Sequence, residues 1–127
     1  MSKRVLFSQI PRLLRDVLVA LFAGCPDIEV LGEVALHESV AAQVEAMHAD
    51  VLITAEEAIG DSATFRLLRR CPELRVLMLR SGGRHACLCE LRQARHHLHE
   101  ISIADVVTVI RDSRFGSQTH DGDSVPQ

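Results

Sequence analysis

Residues 51–54, Val-Leu-Ile-Thr, form an uninterrupted run of apolar and β-branched side chains between polar Asp50 and Glu56. A strand buried on both faces has this pattern, whereas a strand with one wet face alternates between apolar and polar residues. The run therefore predicts a strand inside a parallel sheet. Three other runs share its character: Val5-Leu6-Phe7, Ile28 to Val34 and Val76 to Leu79.

Helical patterns separate these runs. The clearest one has pairs of apolar residues spaced four apart and predicts a helix with one apolar face: Leu13-Leu14, Val17-Leu18 and Leu21-Phe22,. Four further helices are predicted around Val44, Leu67, Leu88-Leu91 and Val106. If a fifth strand covers 96–100, strands recur about every 21–24 residues. This spacing predicts one α/β domain with an open, five-stranded parallel sheet and helices on both faces.

Length and composition limit the organisation and the partners of the chain. Its 127 residues suffice for one domain, which we place at 1–112, and the polar, aperiodic segment 113–127 is expected to be a flexible tail,. A net charge of −3 argues against direct binding to nucleic acid or to a membrane surface,. Four Phe, without Trp or Tyr, leave few platforms for stacking bases or a flavin,. No cofactor is therefore expected.

Cellular location follows from the N-terminus and the cysteines. The apolar run after Lys3 turns polar at Ser8, too early for a signal peptide, and no 18-residue apolar segment occurs,. We therefore expect a cytoplasmic protein with reduced thiols, which are Cys25, Cys71, Cys87 and Cys89,.

Five segments in register resemble the receiver domain of two-component response regulators, in the form that usually precedes a helix-turn-helix output domain. They lie within 4–18, 25–34, 49–54, 67–79 and 102–111. The resemblance covers about residues 4 to 112 and implies a doubly wound, flavodoxin-like parallel sheet of order 2-1-3-4-5. It also implies a role in signal transduction.

The chain departs from this family where receivers carry out phosphoryl transfer. Ser8 and Gln9 stand in place of the acidic pair that holds magnesium, and Ala55 stands in place of the phosphate-accepting aspartate. Neutral side chains can supply neither function. The hydroxyl position holds Arg80, with Ser81 next, and the lysine position holds His99. The resulting degenerate pocket comprises Ser8, Gln9, Ala55, Glu56, Arg80, Ser81 and His99.

We therefore expect a stand-alone, phosphorylation-independent signalling module that binds a protein partner and catalyses no reaction. The alternative is a small ligand- or metal-binding regulator that uses this pocket. By resemblance, a partner or a second copy would bind on the side of the fourth predicted helix, fifth strand and fifth helix. Charged residues expected there are Arg84, Arg92, Arg95, Asp105 and Arg111, and apolar ones are Ile101 and Val109. If charge reversal at Arg92 and Arg111 left a dimer intact, helix 1 would be the next candidate.

A cluster of histidines and cysteines also raises the question of a metal. On a strand, His97 and His99 share a face, but on the predicted fourth helix Cys87 and Cys89 do not,. We therefore expect no metal site there. The spacing Cys89-x5-Arg95 resembles that of thiol-dependent phosphatases, but the residues between favour a helix rather than a phosphate-binding loop.

Overall fold

The computed structural model describes residues 2–34, 39–80, 85–92 and 95–111, without the side chains of 56–62, 92, 95 and 96. The predicted tail, 113–127, lies outside these ranges. The strands are β1 (Lys3–Ser8), β2 (Ile28–Glu33), β3 (Val51–Ala55), β4 (Arg75–Leu79), β5 (His85–Arg92) and β6 (Arg95–Ser102). The helices are α1 (Arg12–Ala23), α2 (Val40–Met47), α3 (Glu56–Arg70) and α4 (Val106–Arg111), with a short 3₁₀ turn at Ile103–Asp105.

The described strands form one mixed sheet in the order β2-β1-β3-β4-β5-β6. Neighbours from β2 to β4 are parallel, whereas β5 is antiparallel to β4 and β6 is antiparallel to β5. The predicted α/β class is confirmed, as are the first four strands. The prediction of a five-stranded, all-parallel sheet is wrong.

The error arises at residues 85–92, where a strand replaces the predicted fourth helix. Residues 86–90 are all buried, because β5 lies between two neighbouring strands and beneath side chains on both faces. Only five residues connect β4 to β5, and a parallel crossover needs about a dozen or more. The chain therefore returns antiparallel. The expected strand at 96–100 exists, but as β6 rather than as a fifth parallel strand.

Two apolar layers cover the sheet. One face packs against α1 and α4, through core residues that include Phe22 and Val109, and we call it the α1/α4 face. The other packs against α2 and α3, through residues that include Val44 and Leu68, and we call it the α2/α3 face. Side chains alternate between these faces along each strand, so every strand residue can be assigned to one layer.

Helix α1 buries only part of its apolar surface. Leu18 and Phe22 are buried, but Leu13, Val17 and Leu21 are 75%, 56% and 46% exposed. These three residues lie at intervals of four and therefore form one stripe along the outer side of the helix. The single buried face predicted from the sequence is thus too wide, and half of it faces outward.

Helix α4, the last helix in the described part of the chain, is attached at both ends. Before it, the Ser102 hydroxyl accepts a hydrogen bond from the Ala104 amide at 3.2 Å and so caps the 3₁₀ turn. At its last residue, Nε and Nη2 of Arg111 donate hydrogen bonds to the two carboxylate oxygens of Asp27, at 2.7 and 3.0 Å. This hydrogen bonding lowers the pKa of Asp27 and raises that of Arg111.

Candidate functional site

The predicted pocket begins at the carboxyl ends of β1 and β3. Ser8 is 3% exposed and Ala55 is 6% exposed, so both are part of the packed interior. Gln9 follows with a φ of 52°, a left-handed conformation that directs the chain from β1 towards α1,. Ser8 and Ala55 contribute none of the carboxylate oxygens that magnesium prefers.

The next part of the pocket is an ion pair between β4 and β6. The Arg80 guanidinium lies 2.9 Å from the Glu100 carboxylate, and Arg80 is the residue directly after β4. His99, the other pocket residue expected on this part of the chain, does not face Arg80. It is next to Glu100 on β6, and consecutive strand residues point to opposite faces.

His99 belongs to a different cluster, on the α1/α4 face. Its Nε2 lies 3.5 Å from Glu90 Oε2, and the other carboxylate oxygen of Glu90 lies 3.5 Å from Arg75 Nε. Arg75 also donates to the Val109 carbonyl at 2.7 Å. Glu90 is only 5% exposed. This buried cluster joins β4, β5, β6 and α4, and neither Arg75 nor Glu90 was expected at a site from the sequence.

Five residues with reactive or polar side chains form a row across the α2/α3 face near the carboxyl ends of the parallel strands. Each is the direct neighbour of the next in the sheet: Ser8, Thr54, Met78, Cys87 and Glu100. The Thr64 hydroxyl of α3 donates to Met78 Sδ at 3.5 Å. The predicted pocket is therefore partly assembled, with Ser8 at one end of the row and Arg80 beside the other.

Cys87 is the most perturbed titratable group in this row. Its pKa falls to about 6, chiefly because Cys89 hydrogen-bonds to it, while burial opposes the change and Arg80 adds to it by hydrogen bonding and charge. The two sulfur atoms are 3.9 Å apart, with Cys89 as donor. The prediction that these cysteines occupy different faces is wrong, since on a strand residues two apart share a face.

The predicted partner surface is not assembled as expected. Ile101 and Val109, its proposed apolar contacts, are buried in the core of the α1/α4 face. Arg111 is held by Asp27, and Asp105 is exposed in the 3₁₀ turn. Arg92 and Arg95 are paired across the β5–β6 hairpin rather than on a helix. Arg84, Ser81 and the side chain of Glu56 lie outside the described part of the structure.

A cleft of about 800 Å³ lies at the opposite end of the sheet from the predicted pocket. It is lined at the amino ends of β1, β3 and β4 by residues that include Lys3, Asp50 and Arg75. On its rim, Arg70 and Glu45 form a two-point ion pair at 2.9 and 3.2 Å. The cleft thus carries charges of both signs, several of which already bind one another.

The chain matches no protein-family model, and no curated protein is significantly similar to it. Within the described ranges, no three His, Cys, Asp or Glu side chains are grouped so that they could hold a metal ion. As predicted for a strand, His97 and His99 do share a face, with their rings 6.3 Å apart. Among the described helices, none combines the length and the apolar character needed to cross a membrane.

Proposed function

We propose that this protein is a phosphorylation-independent, receiver-like regulatory module that acts in the cytoplasm by binding protein and catalyses no reaction. The observation that carries the proposal is the absence of carboxylates from the residues that end β1 and β3. The positions that hold carboxylates in receivers are occupied by Ser8, Gln9 and Ala55, and two of these side chains are packed in the interior. A module without a phosphoryl acceptor transmits information through its surface.

The binding surface we propose is the exposed stripe of α1, and its occupant is a second copy of the chain. The stripe contains Leu13, Val17 and Leu21. In a two-fold pair of antiparallel helices that cross at Val17, Leu13 of each copy meets Leu21 of the other, so the stripe is complementary to itself. Helix α1 has 12 residues and is about 18 Å long, so its stripe offers less contact area than the roughly 800 Å² per partner that a standard interface buries,. The association is therefore expected to be weak and reversible.

Self-association is predicted to depend on Val17. The Val17→Lys variant places a charge at the centre of the paired stripes, so we expect it to remain monomeric at concentrations where the unmodified protein forms dimers. Val19→Lys is the matched control, because Val19 lies on the same helix but outside the stripe. Sedimentation velocity over a concentration series measures the effect. A protein that stays monomeric at several hundred micromolar, or dimers that survive Val17→Lys, would refute the α1 interface.

Phosphoryl transfer is predicted to be absent. We expect no phosphoryl adduct after incubation with acetyl phosphate and magnesium, as measured by intact mass. The acceptor position holds Ala55, which has no carboxylate to accept the phosphoryl group,. Magnesium should also leave the melting temperature unchanged. A ligand at a hundred times its Kd stabilises the folded state by about 2.7 kcal/mol, so binding would be visible. A base-labile phosphoryl adduct on Glu56 or Glu57 would contradict the proposal.

The alternative, a regulator that binds a small ligand or metal at the carboxyl ends of the strands, has less support. Arg80 and Glu100 bind each other there, and Ser8 is packed in the interior. The 800 Å³ cleft lies at the other end of the sheet.

A further inference from the structure

Cys87 and Cys89 are placed for direct reaction with each other. They lie two residues apart on β5, with both side chains on the α2/α3 face and their sulfur atoms separated by 3.9 Å. A strand rises about 3.3 Å per residue, so their Cα atoms are about 6.6 Å apart. Disulfides accept Cα separations up to about 6.8 Å. A disulfide also needs Cβ atoms about 3.5–4.5 Å apart, closer than those of residues two apart on a regular strand. Closing the bond therefore requires β5 to bend locally as well as the side chains to rotate.

The two thiols have different surroundings. Cys87 is adjacent to Glu100 in the sheet and receives a hydrogen bond from Arg80, whose side chain is partly exposed. Cys87 itself is only 2% exposed, so an oxidant can reach it only when the surrounding side chains move. Cys89 is fully buried and donates its S–H to the sulfur of Cys87. This arrangement makes Cys87 the nucleophile and Cys89 the thiol that resolves its oxidised form.

We propose that Cys87 and Cys89 form a thiol–disulfide redox pair that is oxidised by small hydroperoxides. The small size of the oxidant is part of the proposal, because Cys87 is buried beside the ion pair of Arg80 and Glu100, which must separate to admit it. The positive charge of Arg80 stabilises the thiolate of Cys87, and the thiolate is the form that reacts.

The reaction proceeds in two steps. The Cys87 thiolate attacks one oxygen of the hydroperoxide, the S–O bond forms, the O–O bond breaks, and the departing alkoxide or hydroxide takes up a proton. The resulting sulfenic acid is then attacked by the sulfur of Cys89, which loses its proton. The S–S bond forms, the S–O bond breaks, and water leaves. In total, two thiols lose two electrons and the hydroperoxide is reduced to an alcohol, or water, plus water.

Closing the disulfide removes the thiolate beside Arg80, and this cation is then balanced by Glu100 alone. The two sulfurs must approach from 3.9 Å to about 2.05 Å within one strand, which strains the bridge,. Strained disulfides are readily reduced by dithiols. The pair is therefore suited to reversible oxidation, in contrast to a permanent structural disulfide.

The experiment uses the full chain and a stoichiometric amount of hydrogen peroxide at neutral pH. Trypsin cleaves after Arg84 and Arg92, so both cysteines lie in one peptide, 85–92. We expect this peptide to lose two hydrogens after oxidation and to regain them with dithiothreitol. In the Cys89→Ser variant, we expect dimedone to label a sulfenic acid on Cys87. Urea unfolding confirms that this variant is folded.

Two controls test the roles assigned to the neighbours. A variant with Cys25→Ser and Cys71→Ser should oxidise at the same rate as the unmodified chain, since those thiols are outside the pair. Arg80→Gln should slow oxidation severalfold at neutral pH, and the difference should shrink at high pH, where the thiol ionises without help. The proposal is overturned if peptide 85–92 keeps its mass while other thiols react, or if Arg80→Gln leaves the rate unchanged.

Discussion

Replacing Glu90 with alanine is expected to lower the free energy of unfolding by about 3–5 kcal/mol. Glu90 is 5% exposed, and its carboxylate lies between Arg75 and His99. Its removal leaves the Arg75 guanidinium in the interior without its acidic partner, and the desolvation cost of that cation remains. Urea unfolding, followed by far-UV circular dichroism, measures the loss.

Two companion variants show whether burial of the charge causes this effect. Glu100→Ala removes the same type of side chain, but from an exposed ion pair with Arg80, so it should lower the free energy of unfolding by no more than about 1 kcal/mol,. Arg75→Leu combined with Glu90→Leu removes both charges and should recover much of the stability lost in Glu90→Ala. If Glu90→Ala and Glu100→Ala were equally mild, Glu90 could not be a buried counter-charge.

Phe22→Ala is expected to cost about 3–5 kcal/mol, because it opens a cavity under α1. The Phe22 ring is buried on the α1/α4 face and is stacked with Phe7, with ring centroids 6.5 Å apart. A domain of this size is stable by about 5–15 kcal/mol, so the loss is a large fraction of the total. Chemical denaturation at constant pH measures it.

Leu13→Ala is the matched control on the same helix. Leu13 is largely exposed, so the substitution should change monomer stability by no more than about 0.5 kcal/mol,. The measurement is made at low protein concentration to avoid self-association. Equal losses for Phe22→Ala and Leu13→Ala would mean that α1 is rotated relative to the sheet.

Strands β1, β3 and β4 could be predicted because most of their residues are buried on both faces and read as apolar runs,. Val51–Ala55 is the clearest case, with every residue buried. Strand β2 lies at the edge of the sheet, and its apolar run is interrupted by Glu29 and Gly32. The position of helix α1 along the chain could be predicted, but which of its apolar side chains are buried could not. Apolar residues occur around most of its circumference, and periodicity alone cannot indicate which of two apolar sides meets the sheet.

Strand β5 could not be identified from helical spacing because Leu88 and Leu91 fit both structures. The better signal was the run from Ala86 to Cys89, since a free cysteine is commonly buried like a small apolar residue. Glu90 concealed the end of that run, because a carboxylate is rarely expected in the interior. Only the neighbouring strands explain it, as they bring Arg75 and His99 to the same place.

The candidate site was predicted in part for a related reason. Arg80 was correctly expected at the end of β4, but the pocket residue expected on the last strand was His99, whereas the residue that pairs with Arg80 is its neighbour Glu100. A shift of one residue along a strand moves a side chain to the opposite face of the sheet. The Cys87–Cys89 pair was missed because residues 85–92 were assigned to a helix, on which residues two apart do not share a face.

The ion pair between Arg111 and Asp27 affects how the chain folds during synthesis. It joins residues 84 positions apart, and α4 is only six residues long, too short to persist as a free helix,. Until residue 111 has left the ribosome, the α1/α4 face lacks Val106, Val109 and Ile110, which belong to its core. Before α4 docks, the nascent chain therefore exposes the part of the α1/α4 face that α4 covers, and during that interval it is open to aggregation or capture by chaperones.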